Sequence, residues 1–204
     1  GNEQFASGQL DHILSRIKPE RSDTRPRIVK FFMMEISSFL HEITTTYRNI
    51  TSGGLSPSQG QRAIDDLTDQ FLRHADEITE AVDNKIVAKE IKKAFRSRAY
   101  DWIYQSRIGQ RTIERPRGYQ GDYKTIDIFY DNKPLSEGLG SYFDTHILTR
   151  HYAVAVRNRL RQMVAILEEF IAKSGFESTK ILNVACGPCR EMREFFSLPQ
   201  ESQK

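Results

Sequence analysis

Cysteine is scarce in this chain, and this scarcity restricts the class of protein. Its 204 residues include two cysteines, at positions 186 and 189, and one tryptophan. A single pair of cysteines so close in sequence cannot form the framework of several disulfides that stabilises small secreted domains. We therefore expect a protein of a reducing compartment, the cytoplasm.

Long apolar runs and an excess of one charge are also lacking. No segment approaches the roughly 18 apolar residues of a membrane span, and the N-terminus has no apolar signal-peptide core. The net charge is only +3, from 30 Lys and Arg against 27 Asp and Glu, and no nucleic-acid module is recognisable, so we predict no nucleic-acid partner. His146 and His151 would lie about 140° apart on a helix, and we predict no metal site.

Helical periodicity dominates the first half of the chain. Apolar residues recur at steps of three or four over 27–50 and again over 64–82, as on one face of an amphipathic helix. An N-cap, a proline at the first helical position and a capping-box glutamine mark the start of the second helix: Ser56, Pro57 and Gln59. The pattern predicts a helical hairpin over 27–84.

Further helices are predicted along most of the remaining chain, whereas only one strand is expected. The predicted strand covers 180–185, where an apolar run precedes a glycine turn. The helical segments are a third long stretch over 85–110, short helices near 126–130 and 142–148, and an amphipathic helix over 152–173.

Charge is segregated between two neighbouring segments. Residues 35–84 carry a net charge of −6, whereas residues 85–117 carry a net charge of +7. Acidic and basic helices that pack side by side with solvated outer faces would explain this. Two alternative explanations remain for the basic segment. It could attract an anionic substrate, or it could bind RNA.

The segment 181–192 combines an apolar run, a Gly-Pro turn and a helix-like restart. Such a turn can bring backbone N–H groups against a ligand. Cys186 and Cys189 also have the spacing of a thioredoxin-like dithiol. However, a thioredoxin-like fold needs further strands after the motif, where only 190–204 follow, and no tryptophan lies directly before Cys186.

A second motif lies about sixty residues upstream. Residues 115–123 read R-P-R-G-Y-Q-G-D-Y. This segment resembles the R-P-x-G-Y-x-G-D-Y block of a bacterial class I methyltransferase family, whose members are described as extracellular-factor 3-hydroxypalmitic acid methyl ester biosynthesis proteins. The resemblance continues through 155–159 and 181–188 and so covers roughly the second half of the chain. It departs at Cys189, where the family usually has another glycine.

The resemblance implies S-adenosylmethionine (SAM) as cofactor and methyl transfer to an oxygen of a small acidic substrate, such as a 3-hydroxy fatty acid. Tyrosine rings could stack on adenine, a carboxylate could accept hydrogen bonds from the ribose, and an arginine could pair with the methionine carboxylate. The implied cofactor-binding residues are Arg115, Tyr119, Gly121, Asp122, Tyr123, Ala185, Cys186, Gly187 and Pro188. No catalytic residue is assigned.

The expected fold is mainly α. We predict a helical accessory domain over 1–112, a loop and helices covering the cofactor site over 113–176, and over 177–204 the first strand and helix of a Rossmann-like α/β domain. The acidic ribose ligand of such a domain typically follows the glycine turn by about 20 residues, just beyond Lys204. We therefore expect the N-terminal part of a methyltransferase, truncated after its first glycine motif, that alone binds SAM weakly or not at all.

Two other functions remain open from the sequence. One is a helical interaction module without catalytic activity, with a homodimer formed through the N-terminal helices. The other is a thiol-disulfide oxidoreductase that uses the Cys186 and Cys189 pair.

Overall fold

The structure is a computed structural model that describes residues 2–16, 24–82, 84–119, 121–175 and 178–198. The regular elements of these residues are helices, and no strand forms among them, which confirms the expectation of a mainly α chain. The chain divides into two compact units, Gly1–Gln105 and Ser106–Lys204.

The first unit contains helices throughout its described residues. They are α1 (Asn2–Ser15), α2 (Thr24–Lys30), a π-helical turn (Phe31–Glu35), α3 (Ile36–Thr51), α4 (Pro57–Glu80), α5 (Lys85–Arg98) and α6 (Tyr100–Ile103). Helices α3 and α4 pack together as the predicted hairpin. The Ser56 side chain accepts from the N–H of Gln59, whose side chain accepts from the N–H of Ser56, so the predicted capping box is confirmed.

The π-helical turn joins α2 to α3 without a break. Ile28, Phe32 and Ile36 are all buried, although successive steps of four exceed the 3.6 residues of an α-helical turn. Within the π turn, the N–H of Ile36 donates to the carbonyl of Phe31, five residues earlier. The wider turn absorbs the extra residue and keeps the three apolar side chains on the core side.

Aromatic and branched aliphatic side chains form the core of the first unit. The rings of Phe39 and Phe71 stack with centroids 4.2 Å apart, and those of Phe31 and Phe71 stack at 5.5 Å. Val87 and Ile91 of α5 close this cluster. Burial of these apolar side chains is the main term that holds the helices together.

The described residues of the second unit form five helices around a smaller core. They are α7 (Arg107–Glu114), α8 (Tyr123–Asp131), α9 (Leu139–Thr149), α10 (His151–Ser174) and α11 (Arg190–Phe196). Ile108, Phe129, Leu148 and Ala153 form its buried cluster. The single helical stretch predicted over 85–110 is wrong, because Ala99 ends α5 and Ser106 caps a new helix, α7.

The strand predicted over 180–185 is not formed. Residues 178–183 have neither helical nor strand hydrogen bonding, and Leu182 is 87% exposed. A strand needs a neighbouring strand to pair its backbone groups, and the described residues contain none. None of the helices in the described part of the chain combines the length and apolar character needed to cross a membrane.

Candidate functional site

A pocket of about 440 Å³ opens in the second unit, a size suited to a small molecule. Four of the nine predicted cofactor-binding residues line it, namely Arg115, Tyr119, Gly121 and Asp122. The other residues of its wall come from three helices. They are Arg111 and Thr112 of α7, Thr125 and Phe129 of α8, and Tyr152 and Val156 of α10.

A buried carboxylate fixes the start of α7, the helix that brings two arginines to the pocket. Asp144 of α9 is fully buried. Its Oδ1 accepts from Ser106 Oγ at 2.5 Å and from the N–H of Ile108 at 3.2 Å. Its Oδ2 accepts from the N–H groups of Leu135 and Ser136 at 2.8 and 2.7 Å. These four donors satisfy the buried carboxylate, which thereby connects the start of α7 to the loop before α9.

A second buried carboxylate fixes the start of α8. Asp122 is the N-cap of α8, and its Oδ1 accepts from the N–H of Lys124 at 3.0 Å, the usual way to satisfy a free donor at a helix start. Its Oδ1 also accepts from Arg111 Nη2 at 2.5 Å, and its Oδ2 from Thr125 Oγ1 at 3.1 Å. Asp122 is 1% exposed, so in this structure it serves mainly to hold its neighbours.

The pKa of Asp122 lies below its ordinary value. Burial alone would raise this pKa, but the hydrogen bonds from Arg111, Thr125 and the N–H of Lys124 favour the ionised carboxylate and outweigh it. The charged form of Asp122 therefore persists to a lower pH than that of a free aspartate. The pair is a permanent feature of the pocket floor near neutral pH.

Two hydrogen bonds hold Arg111 in one orientation and do not involve Nη1 of its guanidinium. Nε donates to Thr125 Oγ1 at 2.9 Å while Nη2 donates to Asp122. Within the described residues, Nη1 makes no hydrogen bond. An arginine oriented by two partners and bordering a pocket can bind a carboxylate or phosphate with little loss of side-chain entropy.

The loop from α7 to α8 carries the remaining predicted residues of the upstream motif. Arg115 has left-handed backbone, with φ 47°, and Tyr119 is 57% exposed at the pocket edge. Tyr123 does not line the pocket; the Arg117 guanidinium lies over its ring, 4.5 Å from the centroid, and donates to its hydroxyl at 3.0 Å. This cation–π pair fixes the Tyr123 ring at the start of α8.

The glycine motif forms a tight turn outside the pocket wall. The N–H of Cys189 donates to the carbonyl of Cys186 at 2.9 Å. Ala185, Gly187 and Cys189 all have left-handed backbone, with φ of 56°, 58° and 55°, a region in which only glycine is free of strain. Pro188 completes the turn. Cys189 thus has the backbone that glycine favours, at the position where the resembling family usually has glycine.

The two motifs meet although about sixty residues separate them. A Cβ atom built on Gly187 would lie 4.0 Å from Cβ of Tyr123. One turn further on, Arg190 of α11 pairs with Asp127 at 3.3 Å and Asp131 at 2.5 Å, both on α8. The turn 185–189 is therefore anchored to the helix whose first turn forms one side of the pocket.

The third segment of the resemblance, 155–159, supports the same helices from behind. Arg157 Nη1 donates to the carbonyl of Phe129 at 3.3 Å, and Nη2 donates to that of Leu148 at 3.0 Å. These carbonyls lie in the last turns of α8 and α9, where a cation also interacts favourably with the helix dipole.

Sequence reasoning missed Arg111, Thr125 and Tyr152 of this site. Arg111 stands four residues before Arg115, a spacing that places both on one helix face, and this was a usable signal. Thr125 and Tyr152 carry no signal, because their pocket position depends on how α8 and α10 pack. The structure brings Ala185, Cys186, Gly187 and Pro188 to the neighbourhood of Tyr123 but not into the pocket wall.

Comparison of the chain with family models, with curated proteins and with solved structures finds no match. Among the described residues, no group of three or more histidine, cysteine, aspartate or glutamate side chains is arranged to hold a metal ion. The geometry of the site is thus the basis for the functional argument.

Proposed function

We propose that the second unit is the cofactor-binding front of a SAM-dependent methyltransferase of the family that the sequence resembles. The observation that supports this is the meeting of the two motifs, which brings the 185–189 turn against Tyr123 beside a pocket lined by four residues of the upstream motif. Such a proximity is what a shared ligand would require of two segments so far apart in sequence.

The pocket offers groups suited to the different parts of SAM. In the proposal, Arg111 binds the methionine carboxylate through Nη1, and Arg115 adds a second cation at the pocket edge. Tyr119, Phe129 and Tyr152 supply aromatic faces for the adenine ring, and an aromatic face also attracts the sulfonium cation. Asp122 acts through Arg111 and is a positioning residue.

The reaction that we propose is an in-line displacement. The bond between the sulfonium sulfur and the methyl carbon breaks as a bond from that carbon to an acceptor oxygen forms, which leaves S-adenosylhomocysteine. A carboxylate acceptor is already nucleophilic, so the protein supplies chiefly positioning and electrostatic stabilisation. The acceptor class, a small acidic or fatty-acid-type molecule, follows from the resemblance.

The thiol-disulfide alternative has less support. The dithiol of thioredoxin-like oxidoreductases lies in a pattern of alternating strands and helices, whereas residues 178–183, directly before the turn, form no strand. Ordering of Cys189 by Asn183, whose Nδ2 lies 3.9 Å from Sγ, fits a structural thiol.

NMR titration of the ¹⁵N-labelled chain with S-adenosylhomocysteine tests the proposal, because it detects weak binding and locates it. We expect chemical-shift changes for amides of 109–125 and 185–190. Arg111→Gln should weaken this binding, so that more ligand is needed for the same shift changes, while Arg107→Gln, at the far end of α7 and outside the pocket, should not. No change at millimolar ligand, or changes confined to other residues, would contradict the proposal.

Separate titrations with methionine and adenosine divide the site into its parts. If Arg111 binds the carboxylate, the Arg111→Gln variant should lose the response to methionine and keep the response to adenosine. Loss of both responses would instead indicate that the substitution disrupts the pocket.

A further inference from the structure

The exposed face of α5 in the first unit is a stripe of cations. Lys85, Lys89, Lys92 and Arg96 follow one another at steps of four, three and four, which places them on one side of the helix, and all four are exposed. The opposite side of α5 is buried in the core through Val87, Ile91 and Ala94. Within the described residues, none of the four cations takes part in an ion pair.

The neighbouring helix α4 carries acids at a similar spacing. Asp65, Asp69, Asp76 and Glu80 fall at steps of four, seven and four, so they too share one side of their helix. Asp76 and Glu80 are exposed. Leu72 lies on the same side, between Asp69 and Asp76, and is 44% exposed.

The two stripes border one groove, of about 180 Å³. Leu72, Asp76 and Thr79 of α4 form one wall, and Lys92, Phe95 and Arg96 of α5 form the other. Within the described residues, no ion pair crosses the groove from Asp76 to either cation. The groove therefore presents an acidic wall and a basic wall side by side, each still able to pair with an opposite charge.

The charge balance indicates what occupies this surface. Residues 1–105 contain 15 Lys and Arg and 15 Asp and Glu, a net charge of zero, so the unit offers no overall attraction to a polyanion. Two adjacent walls of opposite sign are instead self-complementary. A two-fold axis along the groove would set each acidic wall against a basic wall, as an isologous interface requires.

We propose that the α4–α5 groove is a self-association surface that takes a second copy of this chain. In this dimer Asp76 and Glu80 face Lys92 and Arg96 of the partner subunit, and the reverse pairing occurs across the axis. Leu72, in the α4 wall, becomes covered by the α5 wall of the partner subunit, which adds an apolar contact to the charged interface. The proposal does not depend on the methyltransferase assignment, since the pocket lies in the other unit.

Two charge-reversal variants test the pairing by sedimentation-velocity centrifugation of the full chain at low salt. The acid-reversed variant is Asp76→Lys with Glu80→Lys, and the base-reversed variant is Lys92→Glu with Arg96→Glu. We expect wild type to dimerise, and each variant alone to do so about tenfold more weakly or worse, because like charges then face each other. High salt should weaken the wild-type dimer.

Mixing the two variants gives the sharpest result. In an equimolar mixture every wall again meets an opposite charge, so we expect a heterodimer, which also shows that both variants fold. A control with Asp11→Lys and Asp101→Lys, exposed acids of the same unit outside the groove, should dimerise as wild type does. A monomeric wild type at all concentrations, or variants that fail to combine when mixed, would overturn the proposal.

Discussion

Arg111 Nη2 lies 2.5 Å from Asp122 Oδ1, and this pair joins the start of α8 to the helix that precedes it. Both partners are shielded from water, with side-chain exposures of 19% and 2%. A charge pair so placed is costly to break, since the remaining partner keeps its charge without compensation. The pair therefore links the stability of the second unit to the shape of its pocket.

Replacing Asp122 with asparagine should destabilise the chain by about 1–3 kcal/mol near neutral pH. The difference from wild type should shrink in acid. Because the folded pKa of Asp122 is below its unfolded value, the stabilisation is full above about pH 4 and is lost as the pH falls through the folded pKa. Urea unfolding of both proteins between about pH 7 and about pH 3 measures this.

A matched control for Asp122→Asn is Asp127→Asn. The Asp127 side chain is 40% exposed and pairs with Arg190, so its loss should cost less than about 1 kcal/mol. Equal losses for the two variants, or a loss at Asp122 that does not depend on pH, would contradict the pairing described above.

Substitution of the buried Asp144 should cost at least as much stability as substitution of Asp122, although no cation pairs with Asp144 within the described residues. In Asp144→Asn one carboxylate oxygen becomes an amide NH₂, which would face N–H donors such as those of Leu135 and Ser136. We expect a loss of about 2–4 kcal/mol, because buried donors lose their acceptor. Urea unfolding measures it, and an exposed substitution, Asp131→Asn, should cost far less.

The sequence predicted local features well and distant ones poorly. The capping box of Ser56 and Gln59 depends on residues three positions apart, so the local sequence is enough to predict it. The break between α5 and α7 was missed, because Ser106 is held by Asp144, 38 residues away. A partner at that distance leaves no periodic signal in the sequence.

The candidate site shows the same limit. Arg115 and Tyr119 were predicted from the upstream motif and do line the pocket. Arg111 stood among many cations of a basic stretch, so its spacing from Arg115 was easily overlooked, and its contacts with Asp122 and Thr125 distinguish it clearly. The predicted strand failed for a related reason, since strand formation depends on a pairing segment and not on the apolar run alone.

Gly60 at the hairpin should not tolerate alanine, although alanine is the better helix former. A Cβ atom at this position would lie 2.2 Å from Cδ1 of Ile50. The gain in helix propensity is about 1 kcal/mol, while overpacking costs about 1–3 kcal/mol. We expect Gly60→Ala to lower the unfolding free energy by about 1 kcal/mol in urea titration.

A double variant with Ile50→Ala isolates that contact. Because the clashing atoms are absent, Gly60→Ala in this background should stabilise the chain. The double variant should therefore be more stable than the sum of the two single effects predicts. Gly8→Ala serves as the open-site control, since no atom lies within 4 Å of its Cβ position. Additive effects at positions 50 and 60 would show that the packing is not as described.

Cys189 should react slowly with iodoacetamide near neutral pH. Burial, together with the hydrogen bond to Cys186, raises its pKa, so less of the reactive thiolate is present than in free cysteine. Fragment-ion mass spectrometry of the wild type measures the rate at Cys189 separately from the rate at Cys186. A rate above that of free cysteine would contradict the raised pKa of Cys189, whereas the oxidoreductase alternative requires fast alkylation of Cys186.

Substitution by glycine should change the stability of the chain in opposite directions at the two cysteines, because Cys189 has left-handed backbone, with φ 55°. At position 189 glycine relieves a conformation that costs a side-chain-bearing residue about 1 kcal/mol. At position 186, where φ is not positive, glycine only adds freedom to the unfolded chain. We therefore expect Cys189→Gly to unfold at a higher urea concentration than Cys186→Gly. The reverse order of stability would mean that the Cys189 side chain stabilises the fold by more than its left-handed backbone costs. The proposed function adds an expectation on binding: Cys189→Gly should bind S-adenosylhomocysteine at least as tightly as wild type in the NMR titration.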